Sequence, residues 1–185
     1  MKIDYSNMLH KNKTIFAIRY IACSVRTWYQ FHFKWPWVKY KGFVRVMSGT
    51  GFAKCNIELG NRVQFGKNCK IITNLHISDS VLIASNVSFV GRHDHTYNVP
   101  GQYIWDSPRG NNGTINIERD VWIGHGSIIV GPVNIGAGSI IAAGSVLTKD
   151  VGECEIWGGV PAQKIKDRFN EQGKIEHLKY LNKSK

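Results

Sequence analysis

The stretch Gly91-Arg92-His93-Asp94-His95-Thr96-Tyr97-Asn98 sets two of the chain's seven histidines two residues apart with a carboxylate between them. Imidazole is the side chain best suited to take a hydroxyl proton near neutral pH, because its ordinary pKa lies there. His95 and His93 are therefore candidate general bases, with Asp94 as the third member of the set. Tyr97, Asn98, Tyr103, Trp105, Asp106 and Arg109 follow closely. Of these, Tyr97, Asn98, Tyr103, Trp105 and Arg109 are candidate contacts to an acceptor. None of the four cysteines falls in this stretch, and no serine–histidine pairing stands out by motif. The chemistry indicated is activation of a nucleophile that arrives with the substrate, without a covalent enzyme intermediate.

The elements that must hold these residues show themselves through a period of six. Stepping by six from Leu59 gives Phe65, Ile71, Ile77, Ile83 and Phe89, and then, after an interruption, Ile117, Ile123, Ile129, Ile135, Ile141 and Leu147. All twelve are apolar, where a 43% hydrophobic chain would supply about five by chance. The fifth position of each hexad is mostly small or β-branched: Val63, Cys69, Leu75, Val81, Val87, His93, Val121, Ser127, Val133, Ser139, Ser145 and Val151. The fourth is Asn, Asp or Gly in eight hexads, at Asn68, Asn74, Asn86, Asp120, Gly126, Gly138, Gly144 and Asp150, types that tolerate the left-handed backbone of a tight corner. Neither a helix nor a simple alternating strand repeats every six residues. Each hexad reads as one short strand and one corner, three hexads as a triangular coil, and the twelve as about four stacked coils of an all-β solenoid. Phe89 and Ile117 stand 28 residues apart where six would suffice, so roughly 22 residues are extruded as a loop, inserted over 90–114. That loop carries the histidines. The expected organisation is a basic aromatic segment over 1–43, a β-helix over 44–160 and a C-terminal helix over 161–185. A helix is expected over Ile15 to Gln30 and another over Ala162 to Leu181, the latter capping the end of the solenoid.

Asp120-Val-Trp-Ile-Gly-His-Gly, then Ile141-Ala-Ala-Gly-Ser-Val-Leu-Thr-Lys-Asp-Val, then Gly158-Gly-Val-Pro-Ala-Gln-Lys-Ile-Lys-Asp-Arg-Phe, follow the histidine-bearing loop in that order. In these segments, over about residues 44 to 170, the chain resembles the hexapeptide-repeat acetyltransferases, which include xenobiotic, galactoside and maltose acetyltransferases and enzymes of polysaccharide biosynthesis. The resemblance implies a left-handed parallel β-helix, a homotrimer with active sites between subunits, acetyl-CoA as co-substrate, and transfer to a saccharide hydroxyl in capsule, O-antigen or exopolysaccharide synthesis. Antibiotics and amino sugars are acceptors on the same scaffold. By the resemblance the catalytic histidine matches His95 best, with His93 the competitor at a hexad's inward-facing position. Trp122, His125, Ala143, Thr148 and Lys149 match positions along the pantetheine arm of coenzyme A, and Lys166 and Arg168 are matched to the nucleotide phosphates. A zinc enzyme of the γ-carbonic anhydrase type shares an Ile-Gly-His-Gly string like Ile123 to Gly126. It would need a second histidine where Val130 stands, so no metal is expected.

The formal charge of +11 is not spread evenly. Residues 1–45 contribute +8, residues 46–160 contribute −1 and residues 161–185 contribute +4. Basic ends around a neutral centre suit an anionic cofactor tail, an anionic membrane surface or nucleic acid equally on electrostatics alone, and a basic solenoid that binds nucleic acid or membrane is the non-enzymatic alternative. Six aromatics between Trp28 and Trp37 either seal the first coil or meet a membrane interface. The apolar run Thr14 to Val25 is too short to span a bilayer, and the first dozen residues contain no apolar run or cleavage site, so no export signal is expected. Cys23, Cys55, Cys69 and Cys154 match neither a zinc nor a CxxC spacing and read as reduced thiols. A cytoplasmic protein is expected, at the inner face of the membrane if the basic segment touches lipid.

Overall fold

The computed structural model describes residues 12–183. The reading of the first dozen residues as free of an export signal falls, Asn12 apart, outside the described residues.

Short strands wind into a parallel solenoid with three flat sheets. The first coil is β1 (Val38–Tyr40), β2 (Val44–Val46) and β3 (Gly51–Phe52); the second is β4 (Ile57–Leu59), β5 (Val63–Phe65) and β6 (Lys70–Ile71). The third is β7 (Asn74–Ile77), β8 (Leu82–Ile83) and β9 (Ser88–Gly91); the fourth is β10 (Thr114–Ile117), β11 (Trp122–Ile123) and β12 (Ile128–Gly131). The fifth is β13 (Val133–Ile135), β14 (Ile140–Ile141) and β15 (Val146–Leu147), and a partial sixth comprises a bridge at Val151 and β16 (Glu155–Gly159). Each strand pairs in parallel with its counterpart one coil away, giving a first sheet β1-β4-β7-β10-β13, a second β2-β5-β8-β11-β14-β16 and a third β3-β6-β9-β12-β15. The solenoid therefore has about six turns, one more at each end than the hexads reveal.

The twelve lead residues all point inward, none more than 3% exposed, and every fifth-position residue except His93 is buried beside them. Fully burying such an apolar side chain contributes about 1.5–3 kcal/mol, which is how a chain of two- to four-residue strands is held together. The buried hydroxyls of Ser127, Ser139 and Ser145 donate to the carbonyls of Gly124, Gly136 and Ala142 at 2.6–2.9 Å, so they carry no desolvation penalty.

The three corners are not equivalent. Between the first and second sheets Gly42, Arg62, Ser80, Asp120, Gly138 and Cys154 take positive φ, and between the second and third sheets Gly49, Asn68, Asn86, Gly126 and Gly144 do so. Six of the eight fourth-position residues thus behave as expected. Asn74 and Asp150 do not, because they sit at the corner from the third sheet back to the first. There their side chains accept the backbone N–H groups of Asn56 (3.0 Å) and Asn134 (2.7 Å), linking neighbouring coils. Every irregularity of length also falls at this third corner. Along the first sheet Tyr40 pairs with Leu59, 19 residues on; Ile77 pairs with Ile117, 40 on; Ile135 bridges Val151, 16 on; the other two steps of that sheet are 18.

Helix α1 (Lys13–Tyr29) starts where Asn12 Oδ1 accepts from the backbone of Thr14 and Ile15 at 3.0 and 3.3 Å, and runs into a five-residue π-turn, Gln30–Lys34. It lies on the first coil: Thr27 Oγ1 donates to the Val44 carbonyl at 2.6 Å, and Tyr20 stacks on Phe43 with ring centroids 4.3 Å apart. Phe31 and Trp35 then turn under the solenoid and pack edge-on or tilted against Phe52, which in turn meets Phe65, closing the open end with aromatic rings. Among the described residues no helix is long and apolar enough to cross a membrane.

The other end corrects an expectation. Ala162 to Leu181 is not one helix. Ala162–Asp167 forms β17, antiparallel to β16, and only Glu171–Lys183 is helical, as α2. From β17 the Lys164 ammonium bridges Glu155 across the hairpin (2.8 Å) and Asp167 three residues on (2.7 Å), and both carboxylates hold the lysine pKa above its usual value. Burial pushes the Glu155 carboxyl upward, but donors from Lys164, the Trp157 indole and the Gly152 N–H outweigh it and leave its pKa lowered. β17 also turns the last sheet edge antiparallel, which removes a template for a further parallel coil.

Candidate active site

After Gly91 the chain leaves the third corner and returns at Thr114, so both ends of the insertion sit on consecutive strands of the solenoid, β9 in the third sheet and β10 in the first. A clasp holds its base. Asn112 Oδ1 accepts the His93 N–H at 2.8 Å, and the Pro108 carbonyl receives both the N–H (3.1 Å) and the hydroxyl (3.3 Å) of Thr96. Gly110 passes so close to His93 that a Cβ there would lie 2.7 Å from the His93 carbonyl oxygen, which only glycine allows. The Arg92 guanidinium reaches across to the Thr148 carbonyl on the fifth coil, pinning the loop to the solenoid. Sequence reasoning assigned no role to Arg92 or Asn112; the turn-forming Asn111-Asn112-Gly113 was the available signal.

Within this frame His93, His95, Thr96, Tyr97, Asn98, Gly110 and Asn111 line one open cleft of about 360 Å³. His93 occupies a hexad position that is inward elsewhere, yet it is exposed here because the coil has already given way to the loop. The His95 side chain is 37% exposed, but its Nδ1 is sealed from solvent and has no hydrogen-bond partner among the described residues. The exposed part of the ring therefore excludes Nδ1 and leaves Nε2 as the reachable nitrogen. Asp94 lies between two partners, with Oδ2 4.0 Å from His95 Nε2 and Oδ1 3.8 Å from Arg109 Nη1. These contacts are long and exposed and add little stability, but they set a negative charge beside the imidazole. Tyr103 and Trp105 are not in the cleft. They project from the loop tip, 81% and 91% exposed, around a single 3₁₀ turn at Ile104–Asp106.

The residues matched to coenzyme A lie on the solenoid, outside the cleft of this single chain. Trp122 stands on the outer face of the second sheet between Leu82 and Ile140. His125 and Ala143 occupy the adjoining corner, where His125 Nε2 is 3.3 Å from Asn86 Nδ2 and the His125 carbonyl accepts the Gly144 N–H at 2.8 Å. Thr148 and Lys149 are at the third corner beside the loop base. Lys166 is exposed on β17, not on a helix. Arg168 is already engaged, donating to Asp120 Oδ2 (2.7 Å) and the Gly138 carbonyl (2.8 Å), while His177 of α2 meets the same carboxylate oxygen at 2.9 Å. This cluster fastens α2 to the solenoid.

Comparison with known proteins supplies the family. The model for Bacterial transferase hexapeptide (six repeats) matches residues 114–149. Galactoside O-acetyltransferase of Escherichia coli K12 is 33% identical over 130 residues, covering 67% of this chain and 60% of that one. A probable macrolide acetyltransferase of Lysinibacillus sphaericus is 32% identical over 126 residues, covering 65% of this chain and 67% of its own length. Among solved structures, the N-acyltransferase AntD of Bacillus cereus, in complex with dTDP and 3-hydroxybutyryl-CoA, superposes with a TM-score of 0.60 at 21% identity, covering 80% of this chain and 82% of that one, a likeness of fold. The chain spans about half the length of the first curated relatives it matches. With its coils of six-residue repeats and these relatives, the chain belongs to the hexapeptide-repeat acetyltransferase family.

Proposed function

We propose that the protein is an acetyl-CoA-dependent O-acetyltransferase acting on a saccharide hydroxyl, of the kind found in capsule, O-antigen or exopolysaccharide synthesis, with His95 as general base. The observation that carries this reading is the clasped loop cleft, which joins a reachable imidazole nitrogen to Thr96, Tyr97, Asn98 and Asn111, side chains suited to sugar hydroxyls. His95 Nε2 takes the proton as the acceptor oxygen attacks the thioester carbonyl carbon. The new C–O bond forms while the carbonyl π electrons move to oxygen. Collapse of that tetrahedral adduct breaks the C–S bond, and the departing thiolate receives the proton from the imidazolium. Asp94 Oδ2 lies 4.0 Å from Nε2, beside the nitrogen that carries this proton. The galactoside relative supports a sugar acceptor. Coenzyme A would follow the corner of His125 and Ala143 and the neighbouring Trp122, Thr148 and Lys149. With Arg168 held by Asp120, the exposed Lys166 and Lys149 remain for its phosphates. An acetyl-CoA reaction fits a cytoplasmic setting.

A thiol-release assay with purified protein and acetyl-CoA tests this reading. Oligosaccharide acceptors should raise coenzyme A release well above slow hydrolysis. Release stimulated by chloramphenicol or a macrolide but by no saccharide would replace the acceptor class.

The loop tip also supports a shared site. Tyr97, Val99, Tyr103, Ile104 and Trp105 are each more than half exposed, an apolar group of a size that single folded chains rarely leave open. On this reading the tip of one subunit closes against the solenoid of the next in a cyclic trimer. Light scattering should give about 63 kDa, three times the 20.9 kDa chain. A stable, active monomer would remove the shared site.

A further inference from the structure

We propose that the outer face of α1 and its following π-turn is an interfacial anchor that lays the protein on an anionic lipid surface. The inner face of α1 is committed to the first coil through Tyr20, Thr27 and the Arg26 guanidinium, which donates to the Val46 carbonyl at 2.9 Å, so the orientation of the helix is fixed. The opposite face is apolar. Ile15, Ile18, Ile21, Val25, Trp28, Tyr29 and Phe33 are each 46–66% exposed. At 3.6 residues per turn they fall within an arc of roughly 140°, along a helix about 25 Å long. A helix face that is apolar along its length is ordinarily buried. Here the first coil covers one side only.

Charge selects the occupant. Between Asp4 and Glu58 the chain contains no acidic residue, while Lys13, Arg19, Arg26, Lys34, Lys41 and Arg45 fall in that interval, along with Lys39, which Glu58 holds at 3.1 Å. Arg19 flanks one edge of the exposed stripe on the helical wheel. Pairing this face with its own copy would bring those cations together with no carboxylate of the segment to offset them. Nucleic acid would meet the charge but not the stripe, whose centre is aliphatic and cannot stack on bases. An anionic bilayer satisfies both features: Ile15, Ile18, Ile21 and Val25 enter the acyl boundary, Trp28 and Tyr29 sit at headgroup depth, and the cations meet lipid phosphates. None of these residues belongs to the loop cleft, so the anchor stands or falls independently of the acetyltransfer reading.

The test is flotation of the full chain with vesicles of equimolar phosphatidylglycerol and phosphatidylcholine, and with phosphatidylcholine alone. The protein should float with the first and not the second. Ile18→Glu combined with Val25→Glu should weaken binding at least about tenfold, since each substitution removes a buried apolar side chain and adds a repelled charge. Both positions are exposed, so the melting temperature and coenzyme A release should match the parent; if the double variant melts early, Ile18→Glu alone should show the same direction. Failure to float at low salt, or equal flotation of parent and variant, overturns the proposal. So does a lipid-free change in molar mass in the variant, which would mark the face as a contact between copies, or a loss of single-stranded DNA retention with flotation unchanged.

Discussion

His95→Ala is expected to lower turnover by about two to four orders of magnitude, the usual worth of a positioned general base. The Michaelis constant for acetyl-CoA should change little, because the residues matched to coenzyme A lie on the solenoid and not in the loop cleft. Loss of folding would not explain such a result. The His95 side chain is partly exposed and its Nδ1 has no hydrogen-bond partner among the described residues, so truncation removes an unsatisfied nitrogen and loses only the long 4.0 Å contact to Asp94. His93→Ala is the necessary control, since His93 lines the same cleft. Near-normal turnover in His95→Ala with a collapse in His93→Ala would move the base by two residues. Near-normal turnover in both would remove the loop histidines from the chemistry altogether.

Phe89→Ala is expected to cost about 3–5 kcal/mol of folding stability, the range for emptying a large aromatic from a close-packed core. Phe89 is completely buried on β9, stacked in register between Ile71 on β6 and Ile129 on β12. A solenoid cannot collapse around the void, because each coil is held at hydrogen-bonding distance from its neighbours along all three sheets. Urea unfolding followed by circular dichroism measures the shift. A loss below about 1 kcal/mol would mean that the core relaxes in a way this stacking does not permit.

The middle of the solenoid was legible because one residue type recurs where one geometry recurs. The hexad register of the first coil was hidden by a single residue. Stepping back by six from Leu59 lands on Ala53, Met47 and Lys41, whereas the residues in register with the second coil are Phe52, Val46 and Tyr40, displaced by the extra residue between Phe52 and Ile57. The register of the last coil was hidden likewise by two missing residues before Val151, which moved Trp157 into the place where Gly159 would be counted. β17 was misread because Ala162–Asp167 has helix-forming residues, and local propensity loses to the Lys164 bridge and to the free edge of β16. In the site, the loop and its histidines could be read from the interrupted period. The division of labour within it could not, because the sealing of Nδ1 and the Asn112 clasp depend on contacts between distant parts of the loop.

The third corner has a consequence for descent. One residue gained, two lost and a 22-residue insertion are all absorbed there, while the strands on either side keep their partners. A lineage that lengthens, shortens or exchanges this excursion leaves the scaffold's inheritance intact, with no compensating change needed in the core. What the loop recognises can therefore diverge faster than what the coils are.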